Sequence, residues 1–227
     1  MSEWWTYRLS SFLLFSPRTY SRLFELYNAA IWPSQIVALA LGVAILVLTK
    51  RPGAWRGRAI AAILAACWGF VAWAFHYRQY ATINWAATYF AIAFGIEALL
   101  IGWIGIARGA LPARSGDPLA RRMGLGAFIF ALVVQPALGL WAGRHWTQVE
   151  LLGVAPDPTV VATMGLLLGA ARMRALSLLV PLLWCAVSGA FAWAMARPDA
   201  LVMPLAGLVI LTTAAVRPVR PSLPSHA

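Results

Sequence analysis

The chain has 227 residues, of which 62% are hydrophobic and only 11% are charged, and its mean hydropathy is +0.76. An ordinary soluble domain carries about 25% charged residues, so the composition excludes a typical water-soluble protein. The formal net charge of +11 does not indicate nucleic-acid binding. The arginines stand at the ends of apolar segments, where they orient helices and meet anionic lipid headgroups.

Residues 1–28 are too polar to cross a bilayer and are predicted to form an interfacial amphipathic segment. Ser16 and Pro17 are typical of a helix N-cap followed by the first helical position. In the helix that follows, apolar and polar side chains separate onto two faces. The apolar face consists of Tyr20, Leu23, Phe24, Tyr27 and Ile31.

Apolar segments close to the length that crosses a bilayer recur through residues 29–216 and predict one transmembrane helical bundle. The predicted fold class is all-α, a polytopic membrane helix bundle of about seven spans plus the interfacial helix. The fifth segment is short, because about 14 residues rise only about 21 Å as a helix against a hydrocarbon thickness of about 30 Å. The predicted spans are 31–49, 59–75, 86–107, 123–142, 158–171, 175–196 and 199–216.

Positive charges predict the orientation of the bundle, because cytoplasmic loops are enriched in Lys and Arg. If the chain crosses seven times, the loops on one side and the C-terminal tail together hold 12 Lys and Arg residues, and the loops on the other side hold 3. This places the N-terminus outside and residues 217–227 in the cytoplasm as a short tail. If the segment 158–171 does not cross fully, the two counts become 9 inside and 6 outside, which fits the rule less well.

Glu97 falls near the middle of the third predicted span, where an acid is costly unless it is neutral, paired or facing water. It lies on a different helical face from a stripe of small residues that suits close helix packing. Two interpretations stay open. Glu97 is either a proton- or cation-binding site or a protonated glutamate that is hydrogen-bonded to another helix.

The stretch 153–159 is typical of a broken start to a helix, since Asp157 can cap it and Pro158 suits its first turn. A transporter can use such a positive helix end to hold a substrate group. The alternative is that Asp157 only satisfies the helix end. Thr159 is a further candidate ligand, and so is Gln135, because Pro136 bends its helix and can make room for a cavity.

His76, His145 and Glu150 are candidates for a metal site on the predicted outer side, together with Asp157, because imidazole and carboxylate groups bind divalent metals. Their spacing matches no metal-binding motif, and hydrogen-bonded or interfacial histidines are the alternative. The sequence indicates no particular cofactor. The two cysteines, Cys67 and Cys185, lie inside apolar segments and are predicted to be small buried hydrophobic residues.

Several short motifs distributed along the chain carry a family resemblance. They are Trp4-Trp5-Thr6-Tyr7-Arg8-Leu9, Phe15-Ser16-Pro17-Arg18, Leu26-Tyr27-Asn28, Pro156-Asp157-Pro158-Thr159 and Gly165-Leu166-Leu167-Leu168. With these motifs the chain resembles a family of bacterial multi-span integral membrane proteins of unknown function over nearly its whole length. The resemblance implies a bacterial inner-membrane location and no catalytic residue.

Three classes of function follow from these patterns. The first is a membrane protein that binds or transports a small solute or ion through a polar cavity, with Glu97 inside and Asp157 near the outer mouth. The second is a non-catalytic subunit or assembly factor that contacts a membrane-protein partner. The third is an intramembrane enzyme that uses a histidine with Glu150 or Asp157. A non-enzyme is favoured, because the sequence contains no phosphate-binding glycine loop and no serine nucleophile elbow.

Overall fold

The computed structural model describes residues 15–50, 53–108, 117–170 and 176–216. In these ranges the main elements are eight helices, which confirms the all-α class, and a short 3₁₀ turn at Trp146–Gln148. The helices are α1 (Pro17–Ala30), α2 (Ser34–Thr49), α3 (Ala54–Thr82), α4 (Ala87–Ala107), α5 (Pro118–Trp141), α6 (Pro156–Gly169), α7 (Leu176–Ala194) and α8 (Val202–Ala215).

Four of the described helices, α3, α4, α5 and α7, are long and apolar enough to cross a membrane. The helices α1 and α2 add a fifth candidate span only if they count as one, and they are bent by 86° relative to each other. The prediction of seven spans is therefore wrong. The helices α6 and α8 have 14 residues each, so each rises about 21 Å, which is less than a hydrocarbon thickness of about 30 Å.

Helix α6, which corresponds to the predicted span 158–171, is enclosed by other helices. Twelve of its 14 residues are buried, and it packs against α3, α5, α7 and α8. A helix that is apolar on every side is buried either in lipid or in protein, and the sequence pattern is the same in both cases. The orientation predicted from the positive charges assumed that this segment crosses the membrane. That orientation therefore remains a prediction.

The helices α5 and α6 approach each other at two glycines. A Cβ atom added to Gly165 would lie 2.5 Å from the carbonyl oxygen of Gly124 and 3.0 Å from the Cβ of Ala127. No real side chain fits such a space, so this close approach needs glycine on both helices. The contact fixes α6 in the middle of the bundle.

Helix α1 begins as the sequence predicts, because the Ser16 hydroxyl accepts a hydrogen bond from the Thr19 backbone N–H at 3.2 Å. Its predicted apolar face is buried at Leu23, Phe24 and Tyr27, and the Tyr27 hydroxyl donates to the Val154 carbonyl at 2.7 Å. This face therefore contacts protein. Residues 1–14 and 217–227 lie outside the described residues, so the interfacial position of residues 1–28 and the cytoplasmic tail stay predictions.

The outward faces of the candidate spans carry large apolar side chains. On α4, Leu99 is 76% exposed and Ile96 is 57% exposed. Contiguous apolar surface of this kind is unusual on a soluble monomer. It indicates association with a membrane, whose acyl chains would cover these side chains.

Candidate functional site

Four charged side chains meet where the loop after α5 approaches the loop between α7 and α8. Arg144 pairs with both Glu150 and Asp199. Arg197 donates to Asp199 from Nε at 2.9 Å and from a terminal guanidinium nitrogen at 2.7 Å, and it lies 3.7 Å from Glu150. We call these four residues the charge cluster. Their side chains are largely buried, so their mutual attraction is screened less than at an open surface.

The charge cluster keeps Asp199 ionised. Burial alone would raise the pKa of this carboxyl, but the hydrogen bonds from Arg197 and the positive charges of Arg197 and Arg144 outweigh burial. The pKa of Asp199 therefore lies well below its usual range. For Arg197, burial alone would lower the pKa, whereas the hydrogen bonds to Asp199 and the charge of Glu150 raise it above its usual range.

Asp157 lies next to the charge cluster in the first turn of α6. The interpretation of Asp157 as the helix cap is wrong, because the N-cap residue is Ala155 and no side chain caps this helix. Asp157 is the second helical residue, and the two oxygens of its carboxylate accept hydrogen bonds from Trp184 Nε1 and Ser188 Oγ, both at 2.8 Å. A cap must sit one residue before the helix to reach the free N–H groups. Asp157 instead joins α6 to α7.

The Thr159 hydroxyl forms local hydrogen bonds at the start of α6. Its hydroxyl accepts from the Gly153 backbone N–H at 2.8 Å and donates to the Ala155 carbonyl at 2.6 Å. Gly153 has a φ of +85°, a conformation that glycine adopts without steric cost. The Thr159 hydroxyl is therefore already engaged with the backbone in this structure.

A small polar pocket lies between Asp157 and the charge cluster. Its volume is about 20 Å³, which is room for about one water-sized particle. The Oε1 atom of Gln135, a residue that lines this pocket, is buried and accepts no hydrogen bond from any described residue. The pocket brings together Gln135, Glu150 and Asp157, all three of which are site candidates from the sequence.

A larger cleft lies on the other side of the charge cluster, beside α1. Its volume is about 210 Å³, which is enough for a small polar molecule or a group of waters. Arg144, Arg197 and Asp199 line both this cleft and the polar pocket. The two spaces are therefore separated by paired side chains. The remaining polar residues of the cleft are Tyr20, Ser21 and Gln148.

Glu97 and His76 are buried away from this pocket. Both are 0% exposed, and neither the Glu97 oxygens nor the His76 ring nitrogens have a hydrogen-bond partner in the described part of the chain. His76 lies in a π-helical part of α3, with its ring 4.5 Å from that of Phe94 and 4.9 Å from that of Trp184. Trp184 therefore contacts His76 with its ring and Asp157 with its N–H.

The metal candidates do not form a shared site. His145 lies on the outside of the 3₁₀ turn, where its Nδ1 accepts from the Thr147 backbone N–H at 3.4 Å. His76 is enclosed by aromatic rings, and Glu150 is held by arginine. Over residues 15–50, 53–108, 117–170 and 176–216, no group of three or more His, Cys, Asp or Glu residues could hold a metal ion.

Sequence reasoning missed Arg144, Arg197 and Asp199 as site residues and used the arginines only to predict orientation. A usable signal was present. Each arginine is followed by an acid, six residues later at Glu150 and two residues later at Asp199. Both pairs fall in loops that the charge count placed on the same side of the membrane. Trp184 and Ser188 had no such signal, because they stand in an apolar helix.

Comparison with curated proteins and with solved structures finds no match for this chain. A family model matches residues 18–224, a range that contains all the helices from α2 to α8, the charge cluster and the polar pocket. The chain belongs to the family of unknown function DUF6064.

Proposed function

We propose that this chain is an integral protein of a bacterial inner membrane that binds, or transports, a small cation at the polar pocket beside Asp157. The observation that supports the proposal is the pocket itself, which is lined by Asp157, Glu150 and Gln135, and the Oε1 of Gln135 is buried without a hydrogen-bond partner among the described residues. Carboxylate and amide oxygens are ligands that hard cations prefer. The space of about 20 Å³ fits a single dehydrated ion better than an organic solute.

The balance of charge favours a monovalent cation or a proton over an anion. Three carboxylates, those of Glu150, Asp157 and Asp199, share this region with the two guanidinium groups of Arg144 and Arg197. With all five groups ionised, one negative charge is left over. A buried net charge is unfavourable unless it is neutralised, and one positive charge would neutralise it.

In this proposal the ion reaches the pocket from the cleft beside α1, because Arg144, Arg197 and Asp199 line both spaces. Because the charge cluster separates the two spaces, the ion pairs of Arg144 must rearrange before an ion passes. Side-chain rotation is fast compared with movement of whole helices. The cluster is therefore suited to act as a gate whose opening depends on the charge that approaches it.

The test is cation binding to the purified full chain in detergent, measured by isothermal titration calorimetry. The titrated salts differ either in the cation, which is sodium or potassium, or in the anion that replaces chloride. We expect binding that follows the cation and not the anion, and its loss in the Asp157→Asn variant. Asparagine keeps an acceptor for Trp184 but removes the charge. The matched control is Asp117→Asn, which removes a carboxylate at the other end of α5 and keeps a residue that caps helices well.

Cation binding that is equal in Asp157→Asn and in the wild type would contradict the proposal. Flux of the bound cation into proteoliposomes would then separate transport from binding alone. A preparation that binds no ion and is always purified with the same partner protein would favour the alternative, a non-catalytic subunit or assembly factor of a membrane complex.

A further inference from the structure

The starting observation is the position of Glu97 inside the bundle. The side chain is 0% exposed, and both carboxyl oxygens are buried without a hydrogen-bond partner among the described residues. It shares the buried face of α4 with Phe94, Ile101 and Ile104. An acid therefore shares its buried helix face with large apolar side chains in the turns before and after it.

The groups that face α4 offer no positive charge to stabilise an ionised Glu97. The helices α3 and α7 pack against α4, and their buried titratable side chains are His76, Tyr80, Cys67 and Cys185. Of these groups only His76 can carry a positive charge, and its ring nitrogens have no hydrogen-bond partner among the described residues. The arginines of α3 stand towards its ends, at Arg56, Arg58 and Arg78, and no described arginine forms an ion pair with Glu97.

The environment of Glu97 therefore selects the neutral acid. An ionised carboxylate without a partner in a medium of low dielectric constant is far less favourable than a protonated one, so the group takes up a proton instead. Glu97 lies one turn along α4 from Phe94, whose ring packs at 4.5 Å against both Trp68 and His76.

We propose that Glu97 is a proton-binding site in the interior of the bundle, with its carboxyl group protonated in the folded protein. The ligand is the proton. The site is distinct from the polar pocket, because Glu97 is absent from the residues that line the pocket and has no hydrogen bond to the charge cluster. The proposal goes beyond cation binding at Asp157 and does not depend on it.

The test is infrared spectroscopy of the full chain reconstituted in lipid, which detects the carbonyl stretch of a protonated carboxylic acid separately from that of a carboxylate. We expect such a band near neutral pH. The band should shift after labelling with ¹³C-glutamate and after transfer to D₂O. It should be absent from the Glu97→Gln variant and present in Asp117→Asn and Asp157→Asn.

Two results would overturn the proposal. They are a wild-type spectrum without a protonated glutamate band and an unchanged band in Glu97→Gln. The ¹³C-labelled wild type decides the first point without a variant, in case Glu97→Gln fails to fold. Loss of cation binding in Asp157→Asn with an intact Glu97 band would separate the two sites.

Discussion

Trp184 donates its indole N–H to the carboxylate of Asp157 at 2.8 Å, and this hydrogen bond joins α7 to the first turn of α6. The same indole ring lies 4.9 Å from the ring of His76. Trp184 therefore connects Asp157, which lines the polar pocket, with the aromatic interior of the bundle. A change at Trp184 should consequently alter both the stability of the bundle and the properties of the pocket.

Replacing Trp184 with Phe tests this connection. Phenylalanine keeps an aromatic ring but donates no hydrogen bond, so Asp157 retains only Ser188 as a side-chain donor. Hydrogen bonds to charged groups contribute about 1.5–3 kcal/mol, and we expect a loss of stability of that size, measured by thermal unfolding in detergent. The control is Trp193→Phe on the same helix, where the side chain is 62% exposed. Equal destabilisation in the two variants would contradict the role of Trp184.

Replacing Gly165 with Ala tests the close approach of α5 and α6. The new methyl group would overlap the Gly124 carbonyl, and overpacking of this kind costs about 1–3 kcal/mol. We expect a lower thermal unfolding midpoint. Gly126→Ala is the control, because a Cβ at that position meets nothing within 4 Å. A Gly165→Ala variant as stable as the control would show that the helices can separate without cost.

The stability of the protein should fall in acid because of Asp199. Its pKa is lower in the folded protein than in the unfolded chain, since Arg197 and Arg144 outweigh the effect of burial. The folded state therefore binds fewer protons. The stabilisation is fully present above the unfolded pKa of about 3.9 and is lost as the pH falls through the folded pKa.

Thermal unfolding midpoints as a function of pH check this expectation. The Asp199→Asn variant should be less stable than the wild type at neutral pH and should lose less stability in acid. Asp117→Asn serves as the control, because it leaves the charge cluster intact. An acid dependence that is the same in Asp199→Asn as in the wild type would assign the effect to other groups.

Replacing Glu97 with Met should stabilise the fold. A buried polar group without a partner costs about 1–3 kcal/mol, and methionine fills a similar volume without a polar group. We expect a higher midpoint in thermal unfolding, with Leu99→Met on the exposed side of α4 as the control. A large destabilisation in Glu97→Met would show that the carboxyl has a favourable partner.

Hydrophobic photolabelling in lipid vesicles checks the position of α6. A diazirine probe dissolved in the acyl chains should label peptides from α4, where Leu99 is 76% exposed. It should leave α6 unlabelled, because other helices enclose that element. Mass spectrometry locates the label. Strong labelling around Val160 would instead place α6 against lipid and contradict its position inside the bundle.

Features that depend on near neighbours in the chain were predicted correctly. Ser16 caps α1 and the face of Leu23, Phe24 and Tyr27 is buried, because capping and helical periodicity are set by residues within a few positions of each other. The burial of Cys67 and Cys185 is confirmed in the same way. Asp157 was selected as a candidate, but the partners that hold it, Trp184 and Ser188, were not predicted. Residues 27 and 31 positions away cannot be paired by local rules.

The sequence by itself determined that the chain is helical and too apolar for an ordinary soluble protein, because these properties depend on composition and on hydrophobic periodicity along each segment. The tertiary structure decided how many helices are long enough to cross a membrane, since lipid and a protein core select the same apolar side chains and the apolar pattern does not fix where each helix begins and ends. It also decided that Gln135, Glu150 and Asp157 share one pocket with Arg144 and Arg197. That grouping depends on which helix ends meet in space, and spacing along the chain does not encode it.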